Sequence, residues 1–404
     1  MDKSWFDVLT DRSKASHTYS TKYNGMADRY ADYNTENALP LWIADTDFRC
    51  PPEVIEAVKT RAEHGIYGYT SPDLVYGEYM AAAAGWMKRR YGWDAKAEWG
   101  VYTPGVVNAV VTAIQEFTKP GDGIIIQPPV YYPFAEGIRN NDRVVKNNCL
   151  IEKEPGYYEM DFVGLEDLAS DPNTTMMILC NPHNPTGRVW KEEELRKVCE
   201  ICLKHDVLIF SDEIHADLMM PGSHHIAVGS LGEEIANHLI AGYAASKTFN
   251  LAGLCTSAIM IPNPELRQRM LRRAEINRLP KSNVFGPLAG KVAYESCDEY
   301  VDAQMEYVSA NVDYVIEFCK ENLPKISLRK PEGTYLVWMD FRKLGMDVDQ
   351  LHRFVTEEAG VVGDFGVWFG PGGEGYIRFN LACPRATVEQ MMEKLKAACD
   401  RKHI

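Results

Sequence analysis

Short apolar runs alternate with segments of helical periodicity through the middle of the chain. Four runs have the length of a strand, at residues 123–127, 176–180, 207–211 and 239–242. Apolar positions that recur every three or four residues predict helices between these strands, at 106–117, 191–205 and 264–273. This alternation continues from Pro51 to about Val284 and predicts an α/β fold with a mostly parallel sheet.

The pattern changes after residue 285. A long helical stretch at 286–322 precedes a strand-like segment at 333–341 and a last helix at 388–402, whereas the first fifty residues are irregular. This second pattern is typical of a smaller α+β domain. We therefore expect a large domain at 56–287 and a small domain formed by 1–55 and 288–404.

The charge of the chain excludes several classes of partner. The 43 Lys and Arg residues and 57 Asp and Glu residues give a net charge of −14, which repels the phosphate backbone of nucleic acids. The N-terminus is polar, and no run approaches the roughly 18 apolar residues of a membrane span. We expect a cytoplasmic protein that binds neither nucleic acid nor membrane.

Candidate chemical groups follow three of the predicted strands. Asp212 follows the strand at 207–211, Asn184 lies in the loop NPHNPTG after 176–180, and Lys247 follows 239–242. Ligands of open α/β sheets bind at the carboxyl ends of the strands. The pattern therefore predicts that these three side chains meet at one edge of the sheet.

Lys247, Asp212 and a further candidate, Arg378, each have more than one interpretation. Lys247 among small and apolar residues is either a desolvated nucleophilic amine or a surface lysine. Asp212 is a partner for a pyridinium N–H, a helix cap, or, with His215, part of a metal site for which no third ligand follows. Arg378, in the apolar segment GYIRFN, binds either a substrate carboxylate or an internal anion.

Four motifs in order resemble those of a known family. NPHNPTG, SDEIH, SKTFN and YIRFN are similar to the motifs of the fold-type-I pyridoxal-5′-phosphate (PLP) enzymes of the class I/II aminotransferase family. The segments WIADTDF, IYGYT, TPGVVNAV and QPPVYYPF resemble its branch of MalY/PatB-like cystathionine and cysteine-conjugate β-lyases. The resemblance covers nearly the whole chain.

The resemblance implies a PLP site with assigned roles. Lys247 would hold the cofactor as a Schiff base and move the proton, Asp212 would pair with the ring nitrogen, and Asn184 would bond the phenolate oxygen. Arg378 would bind the substrate carboxylate. The remaining cofactor contacts implied are Tyr131 as a stacking ring, Gly105, Val106, Val107 and Ser246 at the phosphate, and Tyr67 from the neighbouring subunit of a homodimer.

Two positions depart from the wider family. Cys255 stands where most aminotransferases have a phosphate-binding arginine, and His215 stands where a tyrosine commonly bonds the phenolate oxygen. His215 is therefore either a cofactor contact or a structural histidine. No second arginine stands in a motif that marks a dicarboxylate pocket.

The activity that the resemblance implies is cleavage of the Cβ–S bond of L-cystathionine or a related cysteine S-conjugate. Two alternatives stay open. An aminotransferase needs the same constellation up to removal of the α-proton, and a regulatory or binding protein can retain the fold.

Overall fold

The computed structural model describes residues 1–12, 20–279 and 282–404. Its central feature is a mixed sheet of seven strands. In spatial order the strands are Gly100–Thr103, Ser257–Met260, Leu239–Tyr243, Leu208–Asp212, Thr174–Cys180, Gly123–Ile126 and Val144–Asn147. Only Ser257–Met260 runs antiparallel to its neighbours in this sheet. The predicted α/β class with a mostly parallel sheet is confirmed.

The sheet is buried on both faces because its apolar strands alternate between two layers of core. Ile124 and Ile126 pack into the cluster below the helix Val106–Phe117, whereas Ile125 packs into the larger cluster on the opposite face. Successive side chains of a strand point to opposite faces, so a continuous apolar run serves both layers. This explains why the strands read as unbroken hydrophobic runs in the sequence.

Helices surround the sheet and continue into the C-terminal region. The α-helices are Thr21–Asn24, Met26–Arg29, Pro52–Glu63, Met80–Tyr91, Val106–Phe117, Pro133–Arg139, Phe162–Ala169, Glu192–Lys204, Glu233–Asn237, Ala245–Thr248, Pro264–Ile276, Gly286–Ser296, Asp298–Asn322, Val348–Arg353 and Arg385–Lys402. Two further helical segments with wider turns are Asp73–Tyr79 and Phe354–Glu358. The predicted stretch at 286–322 is thus two helices with a break at Cys297, and the last helix begins at Arg385 rather than at 388.

A second, antiparallel sheet lies in the C-terminal part of the chain. Its strands are, in spatial order, Ser327–Leu328, Leu336–Asp340, Tyr376–Asn380 and Asp364–Phe365. Two small pairings complete the strands, Leu39–Pro40 with Val361–Val362 and Ile151–Glu154 with Tyr157–Glu159. The first pairing joins the N-terminal segment to the C-terminal one, which supports the division into 56–287 and 1–55 with 288–404. That division stays a prediction.

Candidate active site

One cavity opens at the carboxyl edge of the large sheet, where three chain segments leave it. Leu208–Asp212 ends in Asp212, Thr174–Cys180 leads to Asn184, and Leu239–Tyr243 leads to Lys247. The predicted residues that line this cavity are Gly105, Val106, Val107, Tyr131, Asn184, Asp212, His215, Ser246 and Lys247. The prediction that the three strand ends meet is confirmed.

Lys247 lies in the short helix Ala245–Thr248, and it lines the cavity. Its Nζ donates a hydrogen bond to the backbone oxygen of Ala44 at 2.7 Å. Burial lowers the pKa of Lys247 to about 8, and Arg378 lowers it further while Asp45 and Asp212 oppose the shift. The lowered pKa makes the neutral, nucleophilic form of the amine more accessible near neutral pH than in an exposed lysine.

Asp212 is a buried carboxyl group that forms no ion pair within 4 Å of its oxygens in the described part of the chain. Its Oδ1 accepts from the backbone N–H of Ile214 at 3.1 Å. Burial raises the pKa of Asp212 to about 7, although that hydrogen bond and Lys247 act in the opposite direction. A cationic N–H donor in the cavity would stabilise the ionised form, so the site fits a protonated heterocycle.

Asn184 and Arg378 form a pair beside the cavity. Arg378 is 2% exposed, and its Nη1 donates to Asn184 Oδ1 at 3.0 Å. Its Nη2 donates to the backbone oxygen of Trp42 at 2.8 Å and to Asp364. The contact with Arg378 orients the amide of Asn184 so that its Nδ2 is left to donate to a ligand.

Of the two alternatives for Arg378, the structure shows the internal anion, and the substrate-binding role stays a prediction. Arg378 is paired with Asp364, which is 1% exposed and stands opposite it on the neighbouring strand. Its Nε is nevertheless buried and has no partner among the described residues. Arginine has five N–H donors, so the internal contacts leave hydrogen-bonding capacity for a substrate carboxylate.

The opposite end of the cavity is suited to an anion. The helix Val106–Phe117 begins here, and its first amides have no partner within the helix. Ser246 and Thr256 also line this cavity, and Thr256 Oγ1 is buried without a partner among the described residues. Helix dipole, amides and hydroxyls together fit a phosphate group.

Cys255 does not contribute a side chain to the cavity in place of the family's arginine. Its side chain is exposed, and its backbone oxygen accepts from Tyr102 Oη at 2.7 Å. Apart from Lys247, no lysine or arginine in the described part of the chain lines the cavity. A phosphate there would be balanced by the helix dipole and neutral donors.

His215 is a neutral histidine in the cavity wall. Burial lowers its pKa to about 3, and the positive charges of Lys247 and Arg378 lower it further. Its Nδ1 is buried with no partner among the described residues, and its ring meets Tyr335 edge-on at 6.3 Å. An unpartnered buried nitrogen in a residue of the cavity wall suits a ligand contact better than a purely structural role.

Tyr67 does not line the cavity of its own chain. Its side chain is 57% exposed, and its hydroxyl donates to the backbone oxygen of Ala62 at 2.6 Å. The ring contacts Phe285 with centroids 5.8 Å apart. An exposed tyrosine at this place is compatible with donation to a second subunit, which stays a prediction.

Sequence reasoning missed three residues of this site. Ala44 supplies the backbone oxygen that holds Lys247, Thr256 lines the anion end, and Asp364 pairs with Arg378. Ala44 lies in WIADTDF, a segment that the resemblance had marked without assigning a role. Asp364 carries no local signal, because only the pairing of two strands brings it to Arg378.

Two negative findings apply to the described residues. None of the groups of His, Cys, Asp and Glu in residues 1–12, 20–279 and 282–404 could hold a metal ion. Within the same ranges, the structure has no helix with the length and hydropathy that crossing a membrane requires.

A mixed sheet with a lysine, an aspartate and an asparagine at its carboxyl edge defines a class of protein. The chain belongs to the class I and II aminotransferase family, whose model matches residues 37–395. Its architecture is that of the fold-type-I PLP-dependent transferases, as the sequence predicted.

The chain is similar to individual proteins over nearly its whole length. Cystathionine beta-lyase PatB of Bacillus subtilis is 40% identical over 387 residues, which cover 96% of this chain and 98% of that protein. Protein MalY of Escherichia coli is 31% identical over 95% of this chain and 96% of its own length. Cystalysin from Treponema denticola, solved with pyridoxal 5′-phosphate, superposes with a TM-score of 0.93 at 39% identity and covers 98% of this chain and 99% of its own.

Proposed function

We propose that this chain is a PLP-dependent carbon–sulfur β-lyase. It would cleave L-cystathionine or a related cysteine S-conjugate to a thiol, pyruvate and ammonia. The observation that carries the proposal is the juxtaposition of a buried lysine of lowered pKa with Asp212 and Asn184 in one cavity. The similarity to cystathionine beta-lyase PatB and to cystalysin supports the choice of reaction.

The cavity residues fit PLP group by group. Lys247 would form the covalent link, Asp212 would face the ring nitrogen, and Asn184 Nδ2 would face the phenolate oxygen. Tyr131 would cover one face of the ring. The amides that begin at Gly105, with Val106 and Val107, and the hydroxyls of Ser246 and Thr256 would hold the phosphate, and His215 Nδ1 would make a further ligand contact. When bound, PLP supplies an electron-accepting ring that stabilises negative charge at the substrate α-carbon.

The protein's own groups would perform binding and proton transfer. Arg378, already aligned by Asp364 and Asn184, would bind the substrate carboxylate and restrict its rotation. Lys247, with a pKa of about 8, would take the α-proton onto Nζ. Breaking the Cβ–S bond then releases a thiolate, and thiols with a pKa of about 8.5 leave readily near neutral pH. The remaining three-carbon fragment hydrolyses to pyruvate and ammonia.

The proposed assembly is a symmetric homodimer in which Tyr67 reaches the phosphate end of the partner's cavity. Its exposed position and its absence from the lining of its own chain's cavity support this arrangement. A two-fold interface makes the donation reciprocal, so one interface completes two sites. A cytoplasmic location stays a prediction from the sequence.

The reaction is tested with purified protein, PLP and L-cystathionine, by following free thiol and pyruvate together. We expect equal release of both, unaffected by 2-oxoglutarate. The Lys247→Ala variant serves as the control and should lose nearly all turnover, because it lacks the amine that attaches the cofactor and moves the proton. Turnover that requires 2-oxoglutarate and forms a new amino acid would make the protein an aminotransferase.

A further inference from the structure

Arg29, at the end of the helix Met26–Arg29, is held among aromatic rings beside Arg378. Its guanidinium carbon lies 4.3 Å from the ring centroid of Trp368, 4.8 Å from that of Tyr132 and 5.8 Å from that of Trp42. The Arg29 side chain is 30% exposed. A cation stacked in this way is fixed in position while one part of it faces outward.

Among the described residues, Arg29 has no hydrogen-bonded anion. No described residue accepts a hydrogen bond from it, and its Nε is buried without a partner. The nearest carboxylate oxygen, Oδ1 of Asp364, lies 3.9 Å away, beyond hydrogen-bond distance. The other oxygen of Asp364 binds Arg378. Two arginines therefore share one carboxylate, and this leaves one positive charge in excess.

The residues in contact with Arg29 adjoin Arg378 and the wall of the cavity. Tyr132, below Arg29, follows Tyr131 of the cavity wall, and Trp42, beside Arg29, gives its backbone oxygen to Arg378. Phe369 contacts both Arg378 and Tyr132, with its ring centroid 5.0 Å from the Arg378 guanidinium and 5.7 Å from the Tyr132 ring. The two guanidinium groups and these rings form a continuous wall.

We propose that Arg29 binds a carboxylate on the leaving-group side of the substrate, while Arg378 binds the α-carboxylate. This inference rests on the proposed function and specifies its substrate class: amino-acid thioethers whose thiol fragment carries its own carboxylate. The aromatic rings between the arginines would pack against the thioether chain. L-Cystathionine belongs to this class, whereas S-methyl-L-cysteine does not.

The kinetic test compares these two thioethers as substrates of the holoenzyme. In Arg29→Gln we expect the ratio of kcat/KM for L-cystathionine to kcat/KM for S-methyl-L-cysteine to fall on the order of tenfold to a hundredfold, the range of a lost charged hydrogen bond. The loss should appear in KM for L-cystathionine more than in kcat. Arg29→Lys, which keeps the charge, should recover part of the ratio.

The matched control is Arg353→Gln. Arg353 also stacks on an aromatic ring, with its guanidinium 5.6 Å from the Tyr33 centroid, but it donates to Asp349 at 3.2 Å and lies at the surface. The control should leave the ratio unchanged. A ratio that is unchanged in Arg29→Gln, or that changes equally in Arg353→Gln, would overturn the proposal.

A binding measurement separates this inference from the proposed reaction. Suberate and octanoate have the same chain length, but only suberate has a second carboxylate, which six atoms separate from the first as in L-cystathionine; both are titrated against the cofactor absorbance of the holoenzyme. We expect the wild type to bind suberate more tightly than octanoate and Arg29→Gln to lose this preference while it still binds octanoate. If that result appears in a protein that cleaves neither thioether, the proposed reaction fails and the Arg29 site stands. Equal affinities in the wild type overturn the Arg29 site.

Discussion

Lys247 and Asp212 have pKa values displaced in opposite directions by the same cause. Burial favours the neutral form of each, which lowers the pKa of the amine to about 8 and raises that of the carboxyl to about 7. Neither group forms an ion pair with a described residue, in contrast to Arg378 with Asp364. A ligand that offers a cationic N–H to Asp212 and an electrophilic carbon to Lys247 would relieve the cost of burying the two groups.

The raised pKa of Asp212 predicts the pH dependence of stability in the cofactor-free protein. Because the pKa of Asp212 is higher in the folded than in the unfolded protein, its protonated carboxyl contributes to the free energy of unfolding. This contribution is complete below pH 3.8 and is lost as the pH rises to about 7. Asp212→Asn removes this loss because the amide does not ionise. We expect the variant to gain stability relative to wild type between pH 5 and pH 8, by at most about 4 kcal/mol.

Urea unfolding of both cofactor-free proteins at several pH values measures this difference. Asp167→Asn, a change at an exposed position of the helix Phe162–Ala169, controls for loss of a carboxylate elsewhere. A difference between wild type and Asp212→Asn that is independent of pH would contradict the prediction. It would mean that Asp212 is ionised in the folded protein without a bound ligand.

The helix that carries Lys247 is only four residues long, so its position depends on contacts outside it. Thr248 Oγ1 donates to Asp217 Oδ2 at 2.7 Å. The other oxygen of Asp217 accepts from Trp86 Nε1 at 2.7 Å and from Tyr91. Trp86 and Tyr91 belong to the helix Met80–Tyr91, so a buried carboxylate ties the lysine-bearing turn to a longer element.

Thr248→Val tests this connection with little change in shape. The substitution removes one donor to a buried carboxylate, and we expect a loss of stability of about 1–3 kcal/mol. We also expect a lower kcat with a smaller change in cofactor binding, because the lysine is displaced while the rest of the cavity is kept. Thermal unfolding and steady-state kinetics measure the two effects, and the exposed Thr60→Val is the control. Wild-type kinetics in Thr248→Val would exclude a positioning role for the Asp217 contact.

The proposed role of Tyr67 predicts that each active site contains residues from two chains. In a dimer of Lys247→Ala and Tyr67→Ala subunits, one of the two sites contains both native residues if Tyr67 is donated across the axis. Random mixing should then restore about one quarter of the wild-type activity from two impaired proteins, because half of the dimers are mixed and each has one native site.

The measurement refolds or exchanges the two variants together and compares the activity with that of each variant treated alone. The same mixture analysed by light scattering reports whether the species is a dimer. If Tyr67 acts within its own chain, mixing restores nothing, since each native lysine is then paired with a substituted tyrosine. Full activity of a monomeric wild type would remove the composite site altogether.

Residues close together in sequence were enough to predict the cofactor end of the site. NPHNPTG, SDEIH and SKTFN each follow an apolar run, and the carboxyl ends of parallel strands must meet at one edge. The helix Val106–Phe117 was predicted with its exact bounds because its buried positions recur with helical spacing. The edge strand Val144–Asn147 was missed, since an edge strand that is partly exposed lacks a long apolar run.

The substrate end depended on tertiary structure. Asp364 meets Arg378 because two strands pair in one register, and Arg29 reaches the same carboxylate from the other end of the chain. No local pattern indicates these contacts. The sequence therefore predicted one substrate arginine, whereas the structure brings a second arginine to the same carboxylate. Motifs and periodicity specify what a segment does by itself, whereas the sharing of one charge by distant segments follows only from how the whole chain packs.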